Sequence, residues 1–162
     1  LYEDIRKAGE KAGLDFDFRS ISVSPNTLDA HRLIHWAGGQ GEAVQDRVVE
    51  RLFAMFFLEG RHIGEDETLA EAAANAGLDA DIIRKLLASD ADKDAVRQNV
   101  SQAQQMGVRG VPFFILDQRY AISGAQPPAV IAEQIRKVAE HKAQAASAPA
   151  SDQSNAIDGD TA

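Results

Sequence analysis

Residues 107 to 114 read Gly107-Val108-Arg109-Gly110-Val111-Pro112-Phe113-Phe114, and this stretch decides the fold. Its proline stands at the start of an apolar run that continues to Leu116. Proline in a strand removes one backbone hydrogen-bond donor, so it is unusual at such a position. A cis X–Pro bond there would mark a specific turn, because that minority geometry is held by tertiary structure.

The residues after this stretch predict a hairpin followed by a helix. Val111–Leu116 has the length of one strand, Asp117-Gln118 predicts a two-residue turn, and Arg119–Ile122 predicts the second strand. The sequence Gly124-Ala125-Gln126-Pro127-Pro128 breaks the pattern. A final helix is expected from Ala129 to about His141, with apolar residues along one face.

The residues before this stretch predict mainly helices. Apolar residues recur at intervals of three and four, and glycine or polar capping residues separate the segments. Asp79 is the expected N-cap of the fifth helix. Residues 14–18 alternate apolar and acidic side chains, which predicts a short strand or extended segment. The expected helices cover residues 2–12, the segment from the Asn26-Thr27 turn to Ala37, and residues 42–59, 65–76, 79–88 and 90–106.

Composition excludes several classes of function. The chain has 162 residues, a formal net charge of −8 and no cysteine. The acidic balance argues against a nucleic-acid partner, which requires clustered lysine and arginine. The absence of cysteine excludes disulfides and thiolate chemistry within these residues. No apolar run approaches the roughly 20 residues of a membrane span, so no membrane partner is expected.

Four separate stretches carry a resemblance to a known family. The run from Gly107 to Phe114 resembles the cis-proline motif of the DsbA family, and the run from Tyr120 to Pro127 resembles the ending of its cytoplasmic FrnE-like branch. Residues 24–32 and 52–64 resemble the inserted helical subdomain of that branch. The likeness covers about residues 1 to 140.

The resemblance implies an α/β fold of the thioredoxin-like type, helix-rich because a large all-helical subdomain is inserted. Residues 1–106 would form that subdomain, and its last helix, at about 90–106, would lead back into the thioredoxin fold. Residues 107–141 would form the C-terminal ββα half. Residues 142–162 are rich in small and polar residues, which predicts a disordered tail.

The family chemistry implied is dithiol–disulfide exchange with a protein or peptide substrate. The resemblance implies that Val111 forms strand-like hydrogen bonds to a bound peptide, and that Gly110 and Pro112 belong to the same substrate-binding wall. The Cys-x-x-Cys pair of the family has no counterpart here, so the chain alone should be inactive. Leu1 in place of an initiating methionine indicates a truncated sequence. A cytoplasmic location and a homodimer are further expectations.

Two other functions stay open from sequence. Glutathione-dependent enzymes resembling 2-hydroxychromene-2-carboxylate isomerase or the kappa-type transferases keep the cis-proline and carry serine in place of the first cysteine. They would bind glutathione along Val111. A non-catalytic binding module is the other alternative, because the chain has no cysteine. No other cofactor is implied.

Histidines and aromatic residues in the helical region give weaker signals. His31 and His35 share a helix face and could bind a metal with His62, but packing or capping explains them more simply, and no metal site is assigned. Asn26 and His31 could line a groove above the active site, or could serve as a cap and a buried hydrogen-bonding group. The cluster of Phe53, Phe56 and Phe57 predicts core packing, with a binding surface as the alternative.

Overall fold

The computed structural model describes residues 2–147, which form two compact units. The first unit ends at Ala103 and the second begins at Gln104. The described elements are α1 (Tyr2–Lys11), α2 (Leu28–Gly38), α3 (Glu42–Phe57), α4 (Asp66–Asn75), α5 (Ala80–Leu87), α6 (Lys93–Gln105), β1 (Phe113–Leu116), β2 (Tyr120–Ser123) and α7 (Pro128–Ser147). This is a helix-rich α/β chain with a small sheet, as the sequence predicts.

The core of the first unit lies among helices α2, α3, α4 and α5. Each helix contributes apolar side chains at intervals of three and four, and burial of those side chains provides most of the stability. Its fully buried members include Leu33, Val48, Met55 and Leu69. Helix α2 packs on α3, and α4 contacts α2, α3 and α5.

Helix α4 is buried through small side chains. Ala70, Ala72 and Ala73 are fully buried, and Ala76 just beyond the helix is nearly so. Alanine is the best intrinsic helix former, and its single methyl group lets the neighbouring helices approach closely. The alanine-rich stretch is therefore the packing surface of a central helix.

Arg32 ties α2 to the end of α5. Its side chain is fully buried. Its guanidinium donates to backbone carbonyls in the last turn of α5 and in the loop after it, where the helix no longer supplies N–H partners. The acceptors are the carbonyl oxygens of Leu86 (2.7 Å), Leu87 (3.4 Å), Ser89 (2.9 Å) and Ala91 (2.8 Å). A planar guanidinium has five N–H donors and can bond to all four of these carbonyls, whereas an ammonium has only three.

Two neighbours complete the surroundings of this buried charge. Asp29, one turn earlier on α2, accepts from Arg32 Nη1 at 2.7 Å. The guanidinium carbon also lies 4.9 Å from the centre of the Trp36 ring. The Trp36 indole N–H in turn donates to the Asp92 carboxylate at 2.8 Å. The only tryptophan of the chain is thus part of the same junction.

The second unit contains a two-stranded antiparallel hairpin and α7. Phe113 pairs with Ser123 and Leu116 with Tyr120. The connection spans residues 117–119, one residue more than the predicted two-residue turn. Asp117 and Gln118 both have left-handed backbone angles, with φ of 50° and 55°, which suit a tight hairpin connection.

Several sequence predictions need correction. The alternating residues 14–18 form no strand, which leaves the extended segment of the two predicted alternatives. The first strand of the hairpin begins at Phe113 rather than Val111. The predicted end of the last helix near His141 is wrong, because α7 continues to Ser147. Residues 142–147 are therefore helical, not part of a disordered tail, and residues 148–162 of that tail lie outside the described residues.

Other predictions are confirmed. The side chain of Asp79 accepts from the backbone N–H groups of Asp81 and Ile82, as an N-cap residue should. The helices at α2 to α5 begin and end within three residues of their predicted limits. Helix α6 begins at Lys93 rather than at residue 90.

Replacing Arg32 with lysine should lower the free energy of unfolding by about 3 kcal/mol. Lysine keeps the positive charge but cannot reach all of the carbonyls, so buried acceptors lose their partners. Urea unfolding followed by circular dichroism measures the change.

Arg97→Lys is the matched control, because Arg97 forms an exposed ion pair with Asp94. It should leave the unfolding curve almost unchanged. Equal stability of the Arg32→Lys protein and the unmodified chain would contradict the assigned role of Arg32.

Candidate functional site

The peptide bond between Val111 and Pro112 is cis, which is the geometry that the resemblance implies. The Pro112 carbonyl accepts from the Gly124 N–H at 2.9 Å, and this bond closes the base of the hairpin. The Val111 side chain is 88% exposed. A Cβ atom built on Gly110 would meet nothing within 4 Å. The predicted site residues 110 to 112 therefore form one open, exposed stretch of backbone.

The backbone of Val111 is unpaired within the part of the chain that the structure describes. Neither its N–H nor its C=O bonds to another described residue. Backbone donors and acceptors next to a strand can accept an added extended peptide by main-chain hydrogen bonds. The chemistry that this stretch offers is recognition of a peptide backbone.

Two polar contacts tie the hairpin to α7. The Lys142 ammonium donates to the Asp117 carboxylate at 2.6 Å, and this bond and its charge lower the pKa of Asp117. The Tyr120 hydroxyl lies 3.3 Å from Nδ1 of His141. Both contacts involve the turn end of the hairpin, so they position the end opposite to Pro112.

A second concave feature lies within the first unit, between α2 and α3. This α2–α3 pocket has a volume of about 360 Å³, inside the range typical of small-molecule sites. Its lining is apolar apart from three side chains close together in the chain, Ser24, Thr27 and His31. The apolar walls include Ile34, Val49, Leu52, Phe53, Phe56 and Phe57.

Of the two residues predicted to share a groove, His31 and Asn26, only His31 lines the α2–α3 pocket. His31 lines the α2–α3 pocket with an exposed side chain. Asn26 is not among the pocket-lining residues, and its side-chain oxygen accepts from the Leu28 N–H at 3.0 Å. Asn26 therefore stabilises the first turn of α2, which is the capping role that sequence left open. Thr27 occupies the N-cap position but makes no side-chain capping bond.

The three histidines considered as metal ligands, His31, His35 and His62, have the following surroundings. His31 and His35 are exposed on α2, and Nδ1 of His62 lies 3.7 Å from a Glu65 carboxylate oxygen. Within residues 2–147, no group of three or more histidine, cysteine, aspartate or glutamate side chains is arranged to hold a metal ion.

The aromatic cluster extends beyond the three predicted phenylalanines. The ring centres of Phe16 and Phe18 lie 5.8 Å and 6.2 Å, respectively, from the ring centre of Phe57. Between them, the Asp17 N–H donates to the Phe57 carbonyl at 2.8 Å. The apolar–acidic alternation of residues 14–18 thus places two rings on α3, a role that sequence did not reveal. Phe53 remains 57% exposed, so the cluster is part core and part surface.

Comparison with known proteins identifies the family of the chain. Residues 1–136, most of the chain, match the family model described as "DSBA-like thioredoxin domain". The chain belongs to the family of DSBA-like thioredoxin domains. A crystal structure of a probable DsbA oxidoreductase from Streptomyces coelicolor is 32% identical and superimposes on 85% of this DSBA-like chain with a TM-score of 0.74.

The uncharacterized protein YwbO of Bacillus subtilis (strain 168) is also similar. It is 28% identical over 113 residues, which is 69% of the DSBA-like chain. The chain spans 56% of the length of YwbO and 58% of the Streptomyces chain. The thioredoxin-like α/β fold predicted from sequence is therefore confirmed, over a part of the length that these relatives have.

Replacing Phe57 with alanine should lower the free energy of unfolding by about 2 kcal/mol, because four neighbouring rings lose a partner. It should also speed hydrogen exchange at the Asp17 amide, since the segment that carries Phe16 and Phe18 loses its contact surface. Phe53→Ala is the control: its more exposed ring contacts Phe57 alone, so its loss should be smaller. An Asp17 amide equally protected in both variants would be inconsistent with this packing.

Proposed function

We propose that the chain is the peptide-recognising part of a DsbA-type thiol–disulfide oxidoreductase. The single observation that supports this function most directly is the exposed, unpaired backbone of Val111 beside a cis-proline. In this proposal, Val111 forms main-chain hydrogen bonds to an extended protein or peptide substrate that carries a thiol or disulfide. Gly110 leaves room for that substrate, and Pro112 forms the wall next to the reacting sulfur.

The reacting sulfurs would come from residues beyond these 162. The chain contains no cysteine, and it spans little more than half the length of the relatives that it matches. We infer that the complete protein carries a Cys-x-x-Cys pair at the N-terminus of a helix, where the helix dipole favours the thiolate. The chain is then a truncated sequence of the FrnE-like branch, and the proposed compartment is the cytoplasm.

The exchange reaction itself balances without a cofactor. A thiolate attacks one sulfur of a disulfide, the other sulfur leaves as a thiolate, and a mixed disulfide forms. A second thiolate then attacks that mixed disulfide and releases the product. Residues 110 to 112 take no part in electron transfer. Their proposed contribution is to align the substrate sulfur with the attacking one.

The backbone role of Val111 can be separated from its side chain. Val111→Pro removes the N–H and should weaken binding of a reduced, cysteine-containing decapeptide by about tenfold, the loss of one hydrogen bond. Val111→Ala keeps the N–H and should bind the peptide like the unmodified chain. Amide chemical shifts of residues 110–116 measure binding in both variants.

Two controls make this comparison decisive. Hydrogen exchange at the Gly124 amide shows whether the hairpin base stays closed in the Val111→Pro protein. Glutathione, titrated in the same way, tests the alternative of a glutathione-dependent enzyme. Equal peptide binding by Val111→Pro and Val111→Ala would argue against the proposed function, and tight binding of glutathione alone would favour the alternative.

Activity of the complete gene product is the second test. We expect the oxidised full-length protein to oxidise a reduced dithiol peptide, whereas the 162-residue chain should leave it unchanged, because it has no thiol to exchange. Mass spectrometry of the peptide measures the loss of two hydrogens. A full-length protein that carries no cysteine pair would contradict the proposed exchange activity and would leave two alternatives, the glutathione-dependent enzyme and the non-catalytic binding module.

A further inference from the structure

The α2–α3 pocket combines an apolar interior with polar groups that the protein itself does not use. Thr27 and His31 lie four residues apart, so their side chains are neighbours on α2, and the His31 N–H donates to the Thr27 carbonyl at 3.0 Å. Ser24 precedes them by three residues. Toward other described residues, none of these three side chains forms a hydrogen bond.

The opposite walls are aromatic. Phe53, Phe56 and Phe57 come from the last turns of α3, and the rings of Phe56 and Phe57 meet edge to face with centres 4.8 Å apart. Rings arranged in this way offer both faces and edges to a further aromatic group. Such contacts add binding free energy beyond that expected from the buried area alone. Leu52 and Ile63 close the inner part of the pocket.

We propose that the α2–α3 pocket binds a small aromatic molecule that carries a carboxylate or carbonyl oxygen at one end. The aromatic body lies against the phenylalanine rings, and the oxygen accepts from His31, Thr27 and Ser24. An apolar pocket with a few polar groups on one side is the usual composition of a small-molecule site. All of the residues that line this pocket belong to the first unit, whereas the proposed peptide site at residues 110 to 112 belongs to the second.

The charge of the protein makes the choice of head group testable. With a formal net charge of −8, the chain as a whole attracts cations and repels anions. Non-specific attraction therefore favours an amine over a carboxylate on the same aromatic body. The proposed hydrogen bonds give the opposite order, because the Ser24 and Thr27 hydroxyls and an imidazole N–H of His31 donate to a carboxylate. An ammonium would instead have to donate to the hydroxyl oxygens and the bare imidazole nitrogen.

The experiment compares 4-phenylbutyrate with 4-phenylbutylamine, which share the phenyl group and alkyl chain. Both are titrated into the 162-residue chain, and amide chemical shifts report affinity and place. We expect 4-phenylbutyrate to bind about fivefold more tightly, the ratio that one hydrogen bond provides. The largest shifts should fall in residues 24–34 and 49–57.

Two histidines on the same helix supply a matched pair of variants. His31→Ala should lower the affinity for 4-phenylbutyrate about fivefold and change that for 4-phenylbutylamine by less than about twofold. His35 is also exposed on α2 but does not line this pocket. His35→Ala should therefore leave both affinities unchanged, and circular dichroism shows whether each variant is folded.

Filling the pocket provides a second pair of variants. Val49→Trp places a bulky ring in the lining and should abolish binding of both compounds. Ile82→Trp adds the same ring to an exposed position on α5, where it should have no effect. Two results of the titrations would overturn the proposal: equal affinities for the two compounds, or chemical-shift changes confined to the hairpin. A third would be tighter binding of an apolar peptide with an affinity that His31→Ala does not change.

Discussion

The helical unit depends on one buried cation. The Arg32 guanidinium reaches the backbone carbonyls at the end of α5 and in the loop beyond it, where no helical partner exists. Asp29 and Trp36 complete its surroundings, so the buried charge is paired with a carboxylate and lies against an aromatic ring. This junction holds α2 against α5, and α2 carries both the N-terminal turn with Asn26 and the exposed His31. The candidate pocket and this junction therefore share helix α2, through the neighbouring residues His31 and Arg32.

Much of the fold could be predicted from local patterns, and the misses have physical causes. Apolar spacing located the helices, because that spacing is a local property of the chain. At residues 14–18 the alternation left a strand and an extended segment open, and it did not reveal that Phe16 and Phe18 pack against Phe57 of α3. The prediction was wrong after His141, because composition alone could not reveal that Lys142 bonds to Asp117 across the second unit.

The two candidate sites differ in how much of each could be predicted from the sequence. The stretch at Gly110, Val111 and Pro112 is contiguous, so a motif was enough to find it. The α2–α3 pocket joins residues from three separate segments. Of its polar lining residues Ser24, Thr27 and His31, the sequence indicated only His31 as a candidate site residue. Asn26 shows the limit of such reasoning: sequence left a groove and a helix cap open for it, and its side chain accepts from the backbone N–H of Leu28. Proximity in sequence did not decide what each polar atom contacts.

The small side chains of α4 have a consequence for how this domain can diversify. Ala70, Ala72 and Ala73 have no space around them, so a larger residue at any of them would force neighbouring helices apart. Helix α3 is different, because Phe53 and Val49 border open space as well as the core. Larger side chains should therefore be tolerated more readily on the α3 side of this chain than at the buried alanines of α4.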